Sequence, residues 1–152
     1  ELSASRPSMP PTLASESKVD ASHKVTAISA INDRLIPKDE NDRSIPYYHW
    51  WPKQGTIEWI SYELPQETLV ASATVYWFDD APWGGCRVPK AWRIYYKDTA
   101  GEWCPVQNAD SYGVVKGAAN TVNFDPVKTT AVKLEVIQPD QFSTGLFEWE
   151  VK

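Results

Sequence analysis

Strand periodicity constrains this chain more than any other feature of its sequence. In "AVKLEVIQP", Val132, Leu134 and Val136 fall on one face while Lys133 and Glu135 fall on the other. That period of two is what a half-buried β-strand requires. "LFEWEVK" repeats it, with Phe147, Trp149 and Val151 set against Glu148 and Glu150. "IEWISYELP", "LVASATVYWF", "AWRIYYKD", "EWCPV" and "NTVNF" are further runs of β-branched and aromatic residues. The turn-forming stretches "KDTAGE", "NADSYG", "KGAAN" and "QPDQFSTG" separate them. No window sustains a helical period. Many short strands at this spacing predict an all-β domain, an antiparallel sandwich or barrel. Trp59, Trp92, Trp103 and Trp149 lie within the alternating runs and are expected in its core. Trp77, at the exit of a strand, is left open.

A length of 152 residues suits one domain. Residues 1–17 are rich in Ser, Pro and Ala around "RPSMPP" and are read as a linker, with the ordered domain at 18–152. The chain begins without Met and without the basic and apolar regions of a signal peptide, so it is read as a mature fragment or a piece of a larger protein. The net charge of −5 argues against a nucleic-acid binder, which needs a basic stripe. No run reaches the ~18 apolar residues of a membrane helix. Cys86 and Cys104 are too few for a disulfide framework and are read as unlinked thiols, a single bridge staying open. They show no metal-binding spacing.

Two segments do not read as strands: Ile31–Thr56 and Asp79–Pro89. Irregular stretches of such length inside a small domain are often functional. The first holds Tyr47, Tyr48, His49, Trp50 and Trp51 in succession, and the second holds Trp83 before Gly84 and Gly85. Flat rings in loops have two uses. They can plug the open end of a sandwich, or they can stand in water as stacking platforms for the C–H faces of sugar rings, with polar neighbours for the hydroxyls. Asp79, Asp80 and Arg87 flank Trp83, and His49 and Arg43 accompany Trp50 and Trp51. The "YYHWW" cluster is expected to be part plug and part rim, and "APWGG" the better contact for a ligand. Catalytic signatures are missing. His23 and His49 are far apart, no GxSxG or HExxH occurs, and the adjacent Asp79 and Asp80 would point oppositely on a strand.

The order of parts, "AIND", "HWWP", "EWISYELP", "ASATVYWF", "KAWRIYYKDTAGEWCPV" and "GLFEWEVK", resembles the discoidin, or coagulation-factor type C, family. That family includes the galactose-binding-like sandwiches of carbohydrate-binding module family 32. The resemblance covers about residues 20–152, and "KDTAGEW" stands where "SxDGxxW" is usual. "NDRSIPYYHWWP" and "WFDDAPWGGCRVP" are similar to a domain appended to bacterial glycoside hydrolases, including the β-L-arabinofuranosidase type. The resemblance implies a jelly-roll, galactose-binding domain-like sandwich. It also implies a non-catalytic module that targets a secreted, periplasmic or cell-surface hydrolase to glycan. Its partners would be carbohydrate and the parent chain's catalytic domain, not nucleic acid or membrane. The two loops themselves offer the candidate ligand set, Trp83 with Trp50 or Trp51 as platforms, Tyr48 and His49 beside them, and Asp79, Asp80 and Arg87 as hydroxyl partners. A structural calcium ion is implied at Asp33 with Asn32, Asp42 and Glu148. The alternative is an accessory domain that packs on a catalytic domain and binds no sugar.

Overall fold

A computed structural model describes residues 9–24 and 27–152. Among the described residues eight strands carry the fold: β1 (Lys18–Ala21), β2 (Tyr48–His49), β3 (Ile57–Phe78), β4 (Cys86–Arg87), β5 (Ala91–Lys97), β6 (Trp103–Pro105), β7 (Asn120–Ile137) and β8 (Ser143–Val151). A 3₁₀ turn at Ile28–Asn32 precedes β2. The strands order as β2-β8-β3-β7-β5-β6, with β1 added on β3 and β4 on β8. Every ladder is antiparallel except the short β4–β8 pair.

"IEWISYELP" and "LVASATVYWF" form one strand, not two. The β3–β7 register slips between Glu63 and Thr68, and again between Val70 and Ser72. Pro65 sits in the first slip, where a residue without an N–H costs no ladder bond. Before that bend β3 pairs with β1 and with the C-terminal half of β7. After it, β3 pairs with the N-terminal half of β7 and with β8. The two long strands thereby pass through both layers of a β-sandwich, the bulges supplying the bend.

Side chains from the two layers meet in the core. Tyr62, before the bend, stacks on Trp149 of β8 with centroids 4.1 Å apart and planes 11° apart. Its hydroxyl donates to the Trp149 carbonyl at 2.7 Å. Trp77, after the bend, meets Trp92 of β5 edge-on at 5.4 Å. Offset and edge-on pairs of this kind add to simple burial. Trp77, Trp92 and Trp149 are therefore core residues. Trp59 and Trp103 are not. Both are half-buried on the outer face of the first layer, because they occupy the odd-numbered parity of β3 and the edge strand β6.

The expected linker needs a similar correction over its described part. Ala14 is fully buried in the core, and Ser17 is buried. Asn32 Nδ2 donates to the carbonyls of Ala14 and Ser17, while Arg34 Nη1 donates to those of Met9 and Pro10. Residues 9–17 belong to the domain, and residues 1–8 of the linker reading lie outside the described residues. Cys86 and Cys104 are free, as expected. Among the described residues no helix is long and apolar enough to cross a membrane.

Candidate functional site

The start of β8 is the seam between the two irregular excursions. On one side β2 pairs with it, Tyr48 opposite Leu146 and His49 opposite Gly145, and the Trp50 amide donates to the Thr144 carbonyl at 3.0 Å. On the other side β4 runs parallel, Cys86 beside Ser143 and Arg87 beside Thr144. The buried Gln138 fastens the first excursion. Its Nε2 donates to the Lys53 carbonyl at 2.9 Å, and its Oε1 accepts from the Thr144 amide at 2.8 Å. The excursions also touch directly. A Cβ placed on Gly85 would lie 2.3 Å from Cζ3 of Trp51, so glycine is what lets that indole lie against the second loop. Arg43 of the first excursion reaches Asp80 of the second at 3.9 Å. Each excursion contains one cis X-Pro peptide, Trp51–Pro52 and Ala81–Pro82.

The aromatic run divides by strand alternation. Tyr48 and Trp50 are fully buried in the main core and meet edge-on. Their polar atoms are satisfied by the segment after β1. Tyr48 Oη donates to the His23 carbonyl, and Trp50 Nε1 donates to Ser22 Oγ at 3.2 Å. Tyr47 points the other way and stacks on Phe78 at 3.8 Å, within a second apolar cluster of Phe78, Cys86 and Phe147. Tyr48 and Trp50 are thus plugs, and neither is available to a ligand. Trp51 is 44% exposed and Trp83 is 93% exposed. Trp83 is two residues from Gly85, at most about 7 Å of chain. Both open rings therefore stand on one rim.

His49 is half-buried, its ring 5.9 Å from that of Tyr47. Its Nδ1 accepts from the Trp51 amide at 3.2 Å, which leaves the proton on Nε2. Burial, then the nearby His23, lowers its pKa, so the ring stays neutral at pH 7.

The expected hydroxyl partners around Trp83 mostly hold their own loop. Asp79 is 2% exposed. Its carboxylate accepts from the amides of Ala81 at 3.0 Å and Val88 at 3.2 Å and faces Lys116 Nζ at 3.5 Å. Asp80 accepts from the Cys86 amide at 2.8 Å. Arg87 Nη1 donates to the carbonyls of Gly84 and Cys86, each at 2.8 Å, and lies 3.5 Å from Asp80. Its guanidinium sits over Phe142, 4.2 Å from the ring centre. Asp79 is a loop brace, not a ligand group. Asp80 and Arg87 keep partial access at the rim. Two contributors escape a sequence reading: Gly85 as the floor beneath Trp51, and Phe142 beneath Arg87 from a stretch that reads only as a turn.

The expected calcium ligands separate into unrelated places. Asn32 donates its amide to the N-terminal segment. Asp42 closes a local turn, accepting from the Lys38 amide and from the Ser44 amide and hydroxyl. The Ser44 hydroxyl is the main cause that holds its pKa down to about 2. Asp33 and Glu148 do come together. Both Glu148 oxygens accept from the Arg34 amide at 3.1 Å. Burial first, then the adjoining Glu150 and Asp33 carboxyls, pushes the Glu148 pKa up to about 11. Burial also raises Asp33. Glu150 Oε1 is buried with no donor. Crowded, desolvated carboxyls with an unsatisfied oxygen are donor chemistry that suits a hard cation, and Asp33 and Glu148 fit one. Asn32 and Asp42 do not. Among the described residues no three His, Cys, Asp or Glu side chains are arranged as a complete metal cluster, so backbone oxygens would have to complete the shell.

No family model matches the chain. Solved structures do. A module of the β-galactosidase BgaA from Streptococcus pneumoniae superposes with a TM-score of 0.74 at 21% identity, covering 88% of this chain and 89% of that one. The family 32 carbohydrate-binding module of NanJ from Clostridium perfringens, solved with galactose, gives 0.68 at 18% identity over 91% and 95%. The fifth such module of a family 89 glycoside hydrolase from the same organism, solved with GalNAc-β-1,3-galactose, gives 0.65 at 16% over 91% and 96%. The chain has the fold of these modules. At such identities the likeness is one of fold, and fold by itself does not carry function.

Proposed function

We propose that this chain is a non-catalytic carbohydrate-binding module that holds an exported glycoside hydrolase against glycan. The observation that carries the reading is Trp83, 93% exposed at the rim that also carries Trp51. Leaving a whole indole in water has no benefit to folding, whereas a pyranose C–H face on the ring removes that surface from water. His49, Asp80 and Arg87 line the same rim and offer hydroxyl partners. The sugars bound by similarly folded modules support the class of ligand. A single open site of this kind binds in the ~0.1–1 mM range, and attachment to a catalytic domain of the parent chain raises occupancy through effective concentration. A calcium ion held by Asp33 and Glu148 would join the 3₁₀-turn region to β8 and serve stability, not chemistry. A secreted, periplasmic or cell-surface location follows from the glycan partner.

Isothermal titration against neutral galactosides, galactan fragments and arabinan fragments tests this. Saturable binding that disappears in Trp83→Ala supports it. An absence of binding across the panel would leave an accessory domain that uses Trp83 as a contact for its parent enzyme.

A further inference from the structure

The outer face of the first layer is the unexplained surface of this molecule. In an ordinary sandwich that face is polar, and here it carries aromatic rings. Cross-strand register sets Trp59 opposite Glu135, and Lys133 opposite both Ser61 and Tyr95. Lys97 stands opposite Trp103. Their alternating neighbours Ile60, Tyr62, Ile94 and Leu134 fill the core, so this second set faces out. Trp103 has two ammonium groups over its ring, Lys97 Nζ at 5.0 Å and Lys133 Nζ at 5.1 Å. Lys133 is also 5.0 Å from the Tyr95 ring centre.

A groove of about 700 Å³ opens beside Trp103, within the size range of ligand sites, roughly 300–1,000 Å³. Ser61, Thr130 and Ala131 line it, β1 flanks it with Lys18 and Asp20, and the Glu63–Gln66 bend adds to its wall. It shares no residue with the Trp51–Trp83 rim. Its charge runs against that of the whole chain. Lys18, Lys24 and Lys97 line it together with Asp20 and Glu63, Asp20 is already paired with Lys24 at 3.1 Å, and Lys133, outside the lining, reaches the Trp103 ring at 5.1 Å. The net charge elsewhere is negative, the total being −5.

We propose that this groove is a second binding site, for an acidic oligosaccharide built from uronic acids. A uronate presents the two features that the groove answers. Its ring C–H face docks on the Trp103 indole as the two ammonium groups swing from the ring toward the carboxylate. Its carboxylate takes the ammonium groups of Lys97 and Lys133 in charge-assisted hydrogen bonds. Glu63, Gln66 and Ser61 are placed to receive hydroxyls. A neutral sugar would offer the ammonium groups nothing to replace the rings they already sit over, and a bare anion would leave the indole unused.

The test is a titration of the whole chain with a tetramer of galacturonic acid and, separately, with a neutral galactose oligomer, followed by indole N–H resonances. The tetra-uronate is expected to shift Trp103 and leave Trp83 unmoved, with affinity that falls as salt is raised. Lys97→Ala/Lys133→Ala is expected to weaken it at least about tenfold with an unchanged melting temperature, and Trp103→Ala to abolish it. No binding of the tetra-uronate, an unchanged affinity in the double lysine variant, or an equal Trp103 shift with the neutral oligomer would each overturn the proposal.

Discussion

Gly85 lies beneath the indole of Trp51, so close that a methyl group there would stand 2.3 Å from Cζ3. This contact ties the two irregular excursions together at one pole of the sandwich. Gly85→Ala should push the Trp51 ring away from the loop. Because Trp51 is partly in water, the ring can swing out, and the stability cost should fall at or below the ~1–3 kcal/mol of core overpacking. Sugar affinity should drop by more than that small cost explains. Thermal melting and titration on one sample measure both.

Two tryptophans one residue type apart in role should part cleanly on truncation. Trp50→Ala removes a fully buried ring and its bond to Ser22 and should cost about 3–5 kcal/mol. Trp83→Ala removes an exposed ring and should leave stability within about 0.5 kcal/mol, while ligand binding is lost. Urea unfolding of the two variants checks the contrast.

Asp79 should affect binding without touching sugar. Asp79→Asn removes the charge facing Lys116 and weakens the acceptor for the Ala81 and Val88 amides. A loss of about 1–3 kcal/mol is expected for a buried, charged hydrogen-bond partner. Hydrogen exchange should show residues 80–88 loosened ahead of the rest of the domain.

Glu148 makes the calcium reading testable by pH. Its pKa in the fold, about 11, lies above the ordinary 4.5 of the unfolded chain. The folded state therefore prefers the protonated form. Its full stability is present below pH 4.5, and is lost as pH rises from there toward the folded pKa. With chelator, the melting temperature should decline from pH 5 to pH 8. Glu148→Gln should remove that decline and melt higher at pH 8. If Asp33 and Glu148 hold calcium, adding it should lift the wild type at pH 8 and leave Glu148→Gln unmoved. Equal melting curves with calcium and chelator would remove the metal from the account.

How much of this was legible in the chain depends on whether the two faces of a strand differ in character. In "AVKLEVIQP" they do, and the inward set follows directly. In "IEWISYELP" aromatics occupy both parities, so Trp59 reads as core although it faces out with Glu63. "YYHWW" hides its alternation for the same reason. Each position is a ring, and only pairing with β8 shows that Tyr48 and Trp50 turn inward. The carboxylates misled in another way. Asp79, Asp42 and Asn32 have ligand chemistry, but short side chains in loops bond first to nearby backbone, and those bonds are invisible before the turns are known. Trp83 was readable only in part: "PWGG" suits a loop tip, from which the ring could either plug the sandwich or, as the fold has it, stand in water.

The most direct test of the central claim is the indole N–H spectrum during titration with galactose or the neutral arabinan or galactan fragment that binds most tightly. The account predicts that the resonances of Trp83 and Trp51 move together and saturate, while those of Trp50, Trp77, Trp92 and Trp149 stay in place. A bound neutral sugar that leaves Trp83 and Trp51 unmoved would contradict it.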